Sequence, residues 1–114
     1  MTITIPWLKK KLGDTELKKM LELWGVHKSD WSISVQYKIE GDNIRRIVTD
    51  EYNEILGEEI LSDIETSNLL WKAYTWWKRK KRKYFKDKER GYEVSFSPDP
   101  LYEDVKYFFD NLNK

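Results

Sequence analysis

The chain has 114 residues, no cysteine and a formal net charge of +1. This length suits one domain with its own core, and the lack of cysteine excludes disulfide scaffolds, thiolate-bound metals and cysteine nucleophiles within this sequence. Charged residues make up 36% of the chain and aromatic residues 15%, a balance that favours a folded domain with a charged surface over disorder. The chain has no run of eighteen apolar residues and no leader-like start. We therefore expect a cytoplasmic protein without a membrane span.

The N-terminal segment predicts a short strand and then a helix. Thr2 to Ile5 alternates between polar and apolar residues, as a strand does. Pro6 suits the first turn of a helix, and Gly13 would end that helix.

A second helix is predicted from Thr15 to Trp24, where apolar residues recur at helical spacing. Asp14 is its candidate N-cap and Gly25 its candidate C-cap. Residues 26 to 30 would then form a connector that carries His27.

The best strand signal runs from Trp31 to Glu40, where residues alternate strictly in polarity. We expect one face of this strand to be buried, namely Trp31, Ile33, Val35, Tyr37 and Ile39. The residues Gly41-Asp42-Asn43 predict a hairpin turn into a second strand, Ile44 to Thr49. A third strand, from Tyr52 to Leu56, is more weakly indicated.

Two helices are predicted in the second half of the chain, with a strand between them. The first runs from Ser67 to Arg90, with Ser67, Thr66 or Ser62 as its N-cap and Gly91 at its end. Tyr92 to Ser97 alternates as a strand, and Leu101 to Leu112 has apolar residues at helical spacing after an Asp99-Pro100 start.

The order of these elements predicts an α+β fold. We expect a small single domain over residues 1–114, in which an antiparallel sheet of three to four strands packs against one long helix and shorter N- and C-terminal helices.

The sequence contains little that indicates catalysis. It has no glycine-rich phosphate loop, and its only histidine, His27, is predicted to lie in a short connector at the surface. One histidine without cysteine cannot build a zinc site of the usual ligands. We therefore expect no enzyme activity, no cofactor and no metal.

The residues from Ser67 to Arg90 hold ten of the 21 basic residues and three of the six tryptophans, and their net charge is +8. On a helical wheel, Trp77 and Tyr84 fall on the apolar side, and Lys80 and Lys81 project towards that side. The predicted nucleic-acid-binding residues are Lys72, Lys78, Arg79, Arg82, Lys83, Lys86 and Arg90, with Trp71 and Trp76 beside them. These cations would contact DNA or RNA phosphates without sequence preference, and the tryptophans would stack on unpaired bases.

Other interpretations stay open. The basic helix would be a structural strut with a solvated face, or the chain would be a small protein-binding regulator or inhibitor, of viral or mobile-element type, that acts through its polarised charged surfaces. Seven acids and no base occur from Asp50 to Glu65, and two copies could pair this stretch with the basic helix as a homodimer. A helix-turn-helix at Gly13-Asp14 would instead turn Lys18 and Lys19 towards DNA.

Overall fold

The computed structural model describes residues 2–89 and 100–112. In chain order the elements are α1 (Ile5–Leu12), α2 (Asp14–Lys28), β1 (Ile33–Glu40), β2 (Asn43–Asp50), β3 (Ile55–Ile60), α3 (Asp63–Glu89) and α4 (Pro100–Leu112). The three strands form an antiparallel sheet in the order β1-β2-β3, which confirms the predicted α+β fold class. Contacts divide the chain into two compact units, Met1–Tyr74 and Thr75–Lys114, and we describe each separately. The single domain over residues 1–114 stays a prediction.

The N-terminal segment caps a helix, so the strand predicted from Thr2 to Ile5 is wrong. Ile3 is buried, and its backbone N–H donates to the Ser67 hydroxyl at 3.1 Å. Thr4 is the N-cap of α1, because its hydroxyl accepts the backbone N–H of Trp7 at 3.3 Å. Ile3 and Ile5 are buried in a segment that leads into a capped helix, just as they would be in a strand. The alternation alone therefore does not define a strand.

Helix α2 continues three residues beyond Gly25, so this glycine is not the predicted C-cap and residues 26–28 are not a connector. A Cβ atom on Gly25 would lie only 2.6 Å from the Val35 carbonyl oxygen of β1. The C-cap of α2 is Ser29, whose hydroxyl donates to the Gly25 carbonyl and accepts the Val35 N–H, each at 2.7 Å. The glycine therefore serves close packing of a helix on a strand.

Strands β1 and β2 are joined by the predicted turn. Glu40 pairs with Asn43, which leaves Gly41 and Asp42 as the two loop residues. Gly41 has a φ of 63°, the left-handed conformation that two-residue hairpins require at this position.

The residues at the start of β1 are more exposed than predicted. Trp31 is 87% exposed and Ile33 is 37% exposed, so the predicted buried face is wrong at these two residues. Both lie beside Asp30, whose carboxylate accepts the Ser32 and Ile33 N–H groups at 2.8 Å. Hydrogen bonds from Ser32 and then Ile33 lower the pKa of Asp30 below its ordinary value.

Strand β3 begins at Ile55, whereas the predicted third strand begins at Tyr52. Tyr52 lies in a turn, because the Asp50 carboxylate accepts the backbone N–H groups of Tyr52 and Glu54, each at 2.9 Å. The strand itself runs from Ile55 through Gly57 to Ile60.

The start of α3 is a capping box, a reciprocal pair of hydrogen bonds between Ser62 and Glu65. The Ser62 hydroxyl accepts the Glu65 N–H at 3.2 Å, and the Glu65 carboxylate accepts the Ser62 N–H at 3.4 Å. Of the three candidate N-caps, Ser62 is therefore correct. The core of the first unit includes Ile3, Ile5, Leu8, Leu17, Met20, Leu21, Leu23, Trp24, Ile44, Leu61, Leu70 and Ala73.

The second unit contains the remainder of α3 and the helix α4. Among the described residues, its buried apolar and aromatic side chains are Trp77, Tyr84, Leu101, Tyr102, Val105 and Phe109, and the predicted core positions Trp77 and Tyr84 are confirmed. The C-terminal helix is also confirmed. The helix end at Gly91, the strand from Tyr92 to Ser97 and the N-cap at Asp99 lie outside the described residues.

Candidate nucleic-acid interface

The orientation of α3 in the second unit is set by its aromatic side. The Trp77 ring packs against Phe108 and Phe109, with centroids 6.1 and 5.6 Å apart. Tyr84 stacks on Phe109 at 5.4 Å, and its hydroxyl donates to the Asp110 carboxylate. Since both rings are fully buried, rotation of the helix about its axis is restricted, and the side opposite to them faces solvent.

Arg79, Arg82 and Lys86 lie on that solvent-facing side, and all three are exposed. Within residues 2–89 and 100–112, none of the three forms a hydrogen bond or an ion pair. Their spacing of three and four residues places them along one helical stripe, with about 10 Å between the first and the last at 1.5 Å per residue. These three predicted site residues therefore form a row of available cations.

Lys83 differs from its neighbours because it has an ion-pair partner. Its amine lies 3.1 Å from the carboxylate of Asp87, which is only 8% exposed. The Tyr102 hydroxyl donates to the same carboxylate at 2.6 Å, and the Lys83 amine lies 4.6 Å from the centre of the Tyr102 ring. These contacts hold Lys83 in place and offset its charge, so it is less available for phosphate than Arg79 or Arg82.

The lysines on the apolar side of α3 lie over aromatic rings. The Lys80 amine is 5.0 Å from the centre of the Trp76 ring, and the Lys81 amine is 5.5 Å from that of Phe109. Burial lowers the pKa of the Lys80 amine. Lys78 is exposed, whereas Trp76 is half-buried and partly covered by Lys80. Trp76 therefore offers less ring surface for stacking than the prediction assumed.

Two predicted site residues, Trp71 and Lys72, belong to the first unit. Trp71 is 46% exposed, which leaves much of its ring accessible. Lys72 is exposed and forms no hydrogen bond or ion pair with the described part of the chain. Arg90, the last predicted site residue, lies outside the described residues.

Lys72 lines a pocket that the sequence does not predict. The pocket has a volume of about 260 Å³ and combines three cations with two aromatic rings, namely Lys28, Arg46 and Lys72 with Trp24 and Tyr37. Glu65 also lines it and supplies one opposing charge. Cations around aromatic rings are the combination that binds phosphates and bases.

Several contacts in this pocket keep its charged groups close to the rings. The Lys28 amine lies 4.7 Å from the centre of the Trp24 ring. Tyr37 is opposite Arg46 in the β1–β2 ladder, and burial raises the pKa of the Tyr37 hydroxyl. The two-residue turn sets the register of the β1–β2 hairpin and so pairs Tyr37 with Arg46. Arg46 could therefore have been predicted from the sequence to lie beside Tyr37. Lys28 could not, because the sequence predicts a connector at residues 26 to 30.

The acidic stretch contributes to the sheet. Glu58 forms an ion pair with Arg45, and Glu59 forms one with Arg46. Glu40 also pairs with Arg45, and hydrogen bonds from Glu40 and then Glu58 raise the pKa of the Arg45 guanidinium. Glu58 and Glu59 are therefore engaged by β2.

No family model, curated protein or solved structure matches this chain. Among the described residues, no three histidine, aspartate or glutamate side chains are grouped so that they would hold a metal ion. No helix in the described ranges combines the length and the apolar character needed to cross a membrane.

Proposed function

We propose that the protein is a non-enzymatic nucleic-acid-binding protein and that the exposed basic side of α3 contacts the phosphate backbone. The observation that carries this proposal is the row formed by Arg79, Arg82 and Lys86. All three are exposed and unpaired among the described residues, and the helix side opposite to them is anchored by Trp77 and Tyr84.

Phosphate binding by such a row is favourable because each neutralised phosphate releases condensed counterions. The two arginines add planar guanidinium groups, which donate two parallel hydrogen bonds to phosphate oxygens. Neither effect depends on base identity, so we expect affinity without sequence preference and a steep loss of affinity with salt.

The first unit supports the same function through its pocket and Trp71. The pocket holds Lys28, Lys72 and the Glu59-paired Arg46 beside the half-buried Tyr37 ring, and Trp71 presents an exposed ring. Stacking on the Trp71 ring requires unpaired bases, so this residue favours single-stranded DNA or RNA over a duplex.

The decisive variant is Arg79→Ala/Arg82→Ala/Lys86→Ala. We expect at least a tenfold loss of affinity for single-stranded DNA or RNA, measured by fluorescence anisotropy with labelled oligonucleotides at fixed salt. The matched control is Lys9→Ala/Lys10→Ala/Lys11→Ala, which removes the same charge from the exposed last turn of α1.

Equal losses in both triple variants would contradict the proposed site, because the effect would then follow net charge alone. Full affinity in the α3 variant, with unchanged circular dichroism, would also contradict the proposed site, whereas the absence of any oligonucleotide binding by the parent chain would contradict the function itself.

The alternative function, a protein-binding regulator or inhibitor that acts through charged surfaces, has weaker support. Glu58 and Glu59 would be the natural phosphate mimics of the acidic stretch, but each pairs with an arginine of β2. An acid already paired within its own sheet contributes little additional attraction to a basic partner.

A further inference from the structure

Strand β1 is an edge of the described sheet, and its ladder with β2 shows which backbone groups point outward. The residues that close the two-residue turn, Glu40 and Asn43, exchange hydrogen bonds in such a hairpin. Because antiparallel ladders alternate, Ile39, Tyr37 and Val35 direct their N–H and C=O groups away from β2. The Val35 N–H does so, since it donates to the Ser29 hydroxyl.

The first part of this edge is already covered by the chain itself. The Ile33 carbonyl accepts the Asp30 N–H at 2.9 Å, and the backbone of Gly25 stands against the Val35 carbonyl. Beyond Val35, the outward N–H and C=O groups of Tyr37 and Ile39 have no hydrogen-bond partner among residues 2–89 and 100–112. The edge of β1 is therefore covered at Ile33 and Val35, whereas within the described residues it is open at Tyr37 and Ile39.

A groove of about 530 Å³ lies beside the open half. Its apolar lining residues include Leu21 and Val26 from α2 and Tyr37 and Ile39 from β1, and polar or charged side chains line the rest. Of these apolar residues, Val26 is 52% exposed.

We propose that this groove binds an extended segment of another protein, which adds a strand to β1. Backbone hydrogen bonds to Tyr37 and Ile39 supply the pairing, and the apolar walls receive every second side chain of the segment. In such a pairing the added strand lies about 4.8 Å from β1.

The position of α2 favours a linear segment over a second copy of this chain. At Val35 the helix backbone stands in the direction in which a neighbouring strand would continue, since Gly25 approaches the outward carbonyl of that residue. A second sheet would bring its own α2 to the same place. An extended segment carries no helix, so it enters the open half alone.

The charged residues of the groove define a preference within this class of partner. Lys18 and Lys38 line it with only one acid, Glu22. Lys38 is exposed and has no ion-pair partner in the described ranges, whereas Lys18 lies 3.2 Å from Asp14 at the surface. We therefore expect segments with apolar residues at alternate positions and acids between them to bind more tightly than basic segments of the same pattern.

The test uses synthetic linear eight-residue peptides with valine, leucine or phenylalanine at alternate positions and glutamate, serine or lysine between them. Amide hydrogen exchange of the full chain, followed by NMR, is expected to slow at Tyr37 and Ile39 when a glutamate peptide binds. The control amide is Glu58, which by the same alternation points outward from β3 at the opposite edge. Methylation of the peptide backbone nitrogens is expected to weaken binding about tenfold or more, because it removes the pairing donors.

A variant pair locates the groove. Val26→Asp places a charge in the wall and is expected to weaken peptide binding about tenfold or more, whereas Thr15→Asp, on an exposed α2 position outside the groove, is expected to leave it unchanged. Both side chains are exposed, so thermal unfolding is expected to stay near that of the parent chain.

Three results would each overturn the proposal. The first is that no peptide binds at millimolar concentration. The second is that bound peptide protects Glu58 and leaves Tyr37 and Ile39 unprotected. The third is slow exchange of both groove amides without peptide, which would mean that the chain itself or a second copy already pairs with the edge.

Discussion

At the scale of single residues, Gly25 shows that helix propensity and tertiary packing can favour different residues at the same position. Within a helix interior, glycine is about 1 kcal/mol less favourable than alanine. Gly25 nevertheless lies inside α2, because only a residue without a side chain allows the Val35 carbonyl to approach. The unfavourable residue is retained where a helix meets a strand edge.

We expect Gly25→Ala to destabilise the protein despite its better helix propensity. The added Cβ would lie 2.6 Å from the Val35 carbonyl oxygen, so the backbone must shift, at a cost of about 1–3 kcal/mol. Chemical denaturation gives the free energy of unfolding. The control is Gly57→Ala, where a Cβ would meet no atom within 4 Å. If Gly25→Ala is as stable as Gly57→Ala, helix and strand are not in close contact.

At the scale of elements, α3 combines a defined start with two chemically different sides. Its capping box places the N-cap at Ser62, whereas the sequence also offered Thr66 and Ser67 as N-caps. In the second unit, Trp77 and Tyr84 define its buried side, while Arg79, Arg82 and Lys86 define its exposed side. A helical period of 3.6 residues is sufficient to produce this separation.

We expect Ser62→Ala to lower the free energy of unfolding by about 1 kcal/mol, because the Glu65 N–H loses its acceptor at the first turn. Urea denaturation followed by circular dichroism measures the change. Thr15→Ala is the control, since Thr15 is exposed near the start of α2, where the N-cap Gly13 makes no side-chain hydrogen bond. An equal effect of both substitutions would show that the capping box contributes no stability.

At the scale of the whole molecule, charge is strongly segregated along a nearly neutral chain. The net charge is +1, whereas residues 67 to 90 alone carry +8. A molecule with so little net charge attracts a polyanion weakly at long range, so binding depends on local contacts within roughly one Debye length, about 10 Å at 0.1 M salt.

The dependence of affinity on salt tests this local origin. Each phosphate contact contributes a slope of about 0.7 to single-stranded binding in a plot of log affinity against log salt concentration. We expect the slope of Arg79→Ala/Arg82→Ala/Lys86→Ala to be about 2 smaller than that of the parent chain, measured by anisotropy titrations from 50 to about 200 mM salt. The α1 triple variant is expected to keep the parent slope, and a reduced slope there would place phosphate contacts on α1.

Much of the fold was predictable because local periodicity reports which side of an element is buried. The helix from Leu101 to Leu112 and the core positions Trp77 and Tyr84 follow from apolar spacing alone. The strand predicted from Thr2 to Ile5 is wrong, because an alternation of four residues is too short to distinguish a strand from the start of a capped helix. The predicted burial of Trp31 is wrong, because alternation predicts which side of the strand a residue lies on but does not show whether another element covers that side.

By itself, the sequence determined the α+β class, the hairpin turn at Gly41 and the separation of apolar and basic sides on α3, since these depend on periods and turn residues within one segment. The tertiary structure alone decided which charges are available. It paired Lys83 with Asp87 and Glu59 with Arg46, and it brought Lys28 and Lys72 to one pocket. It also left the edge of β1 open at Tyr37 and Ile39 within the described residues. Pairing and coverage depend on residues distant in sequence, and local periodicity carries no information about such contacts.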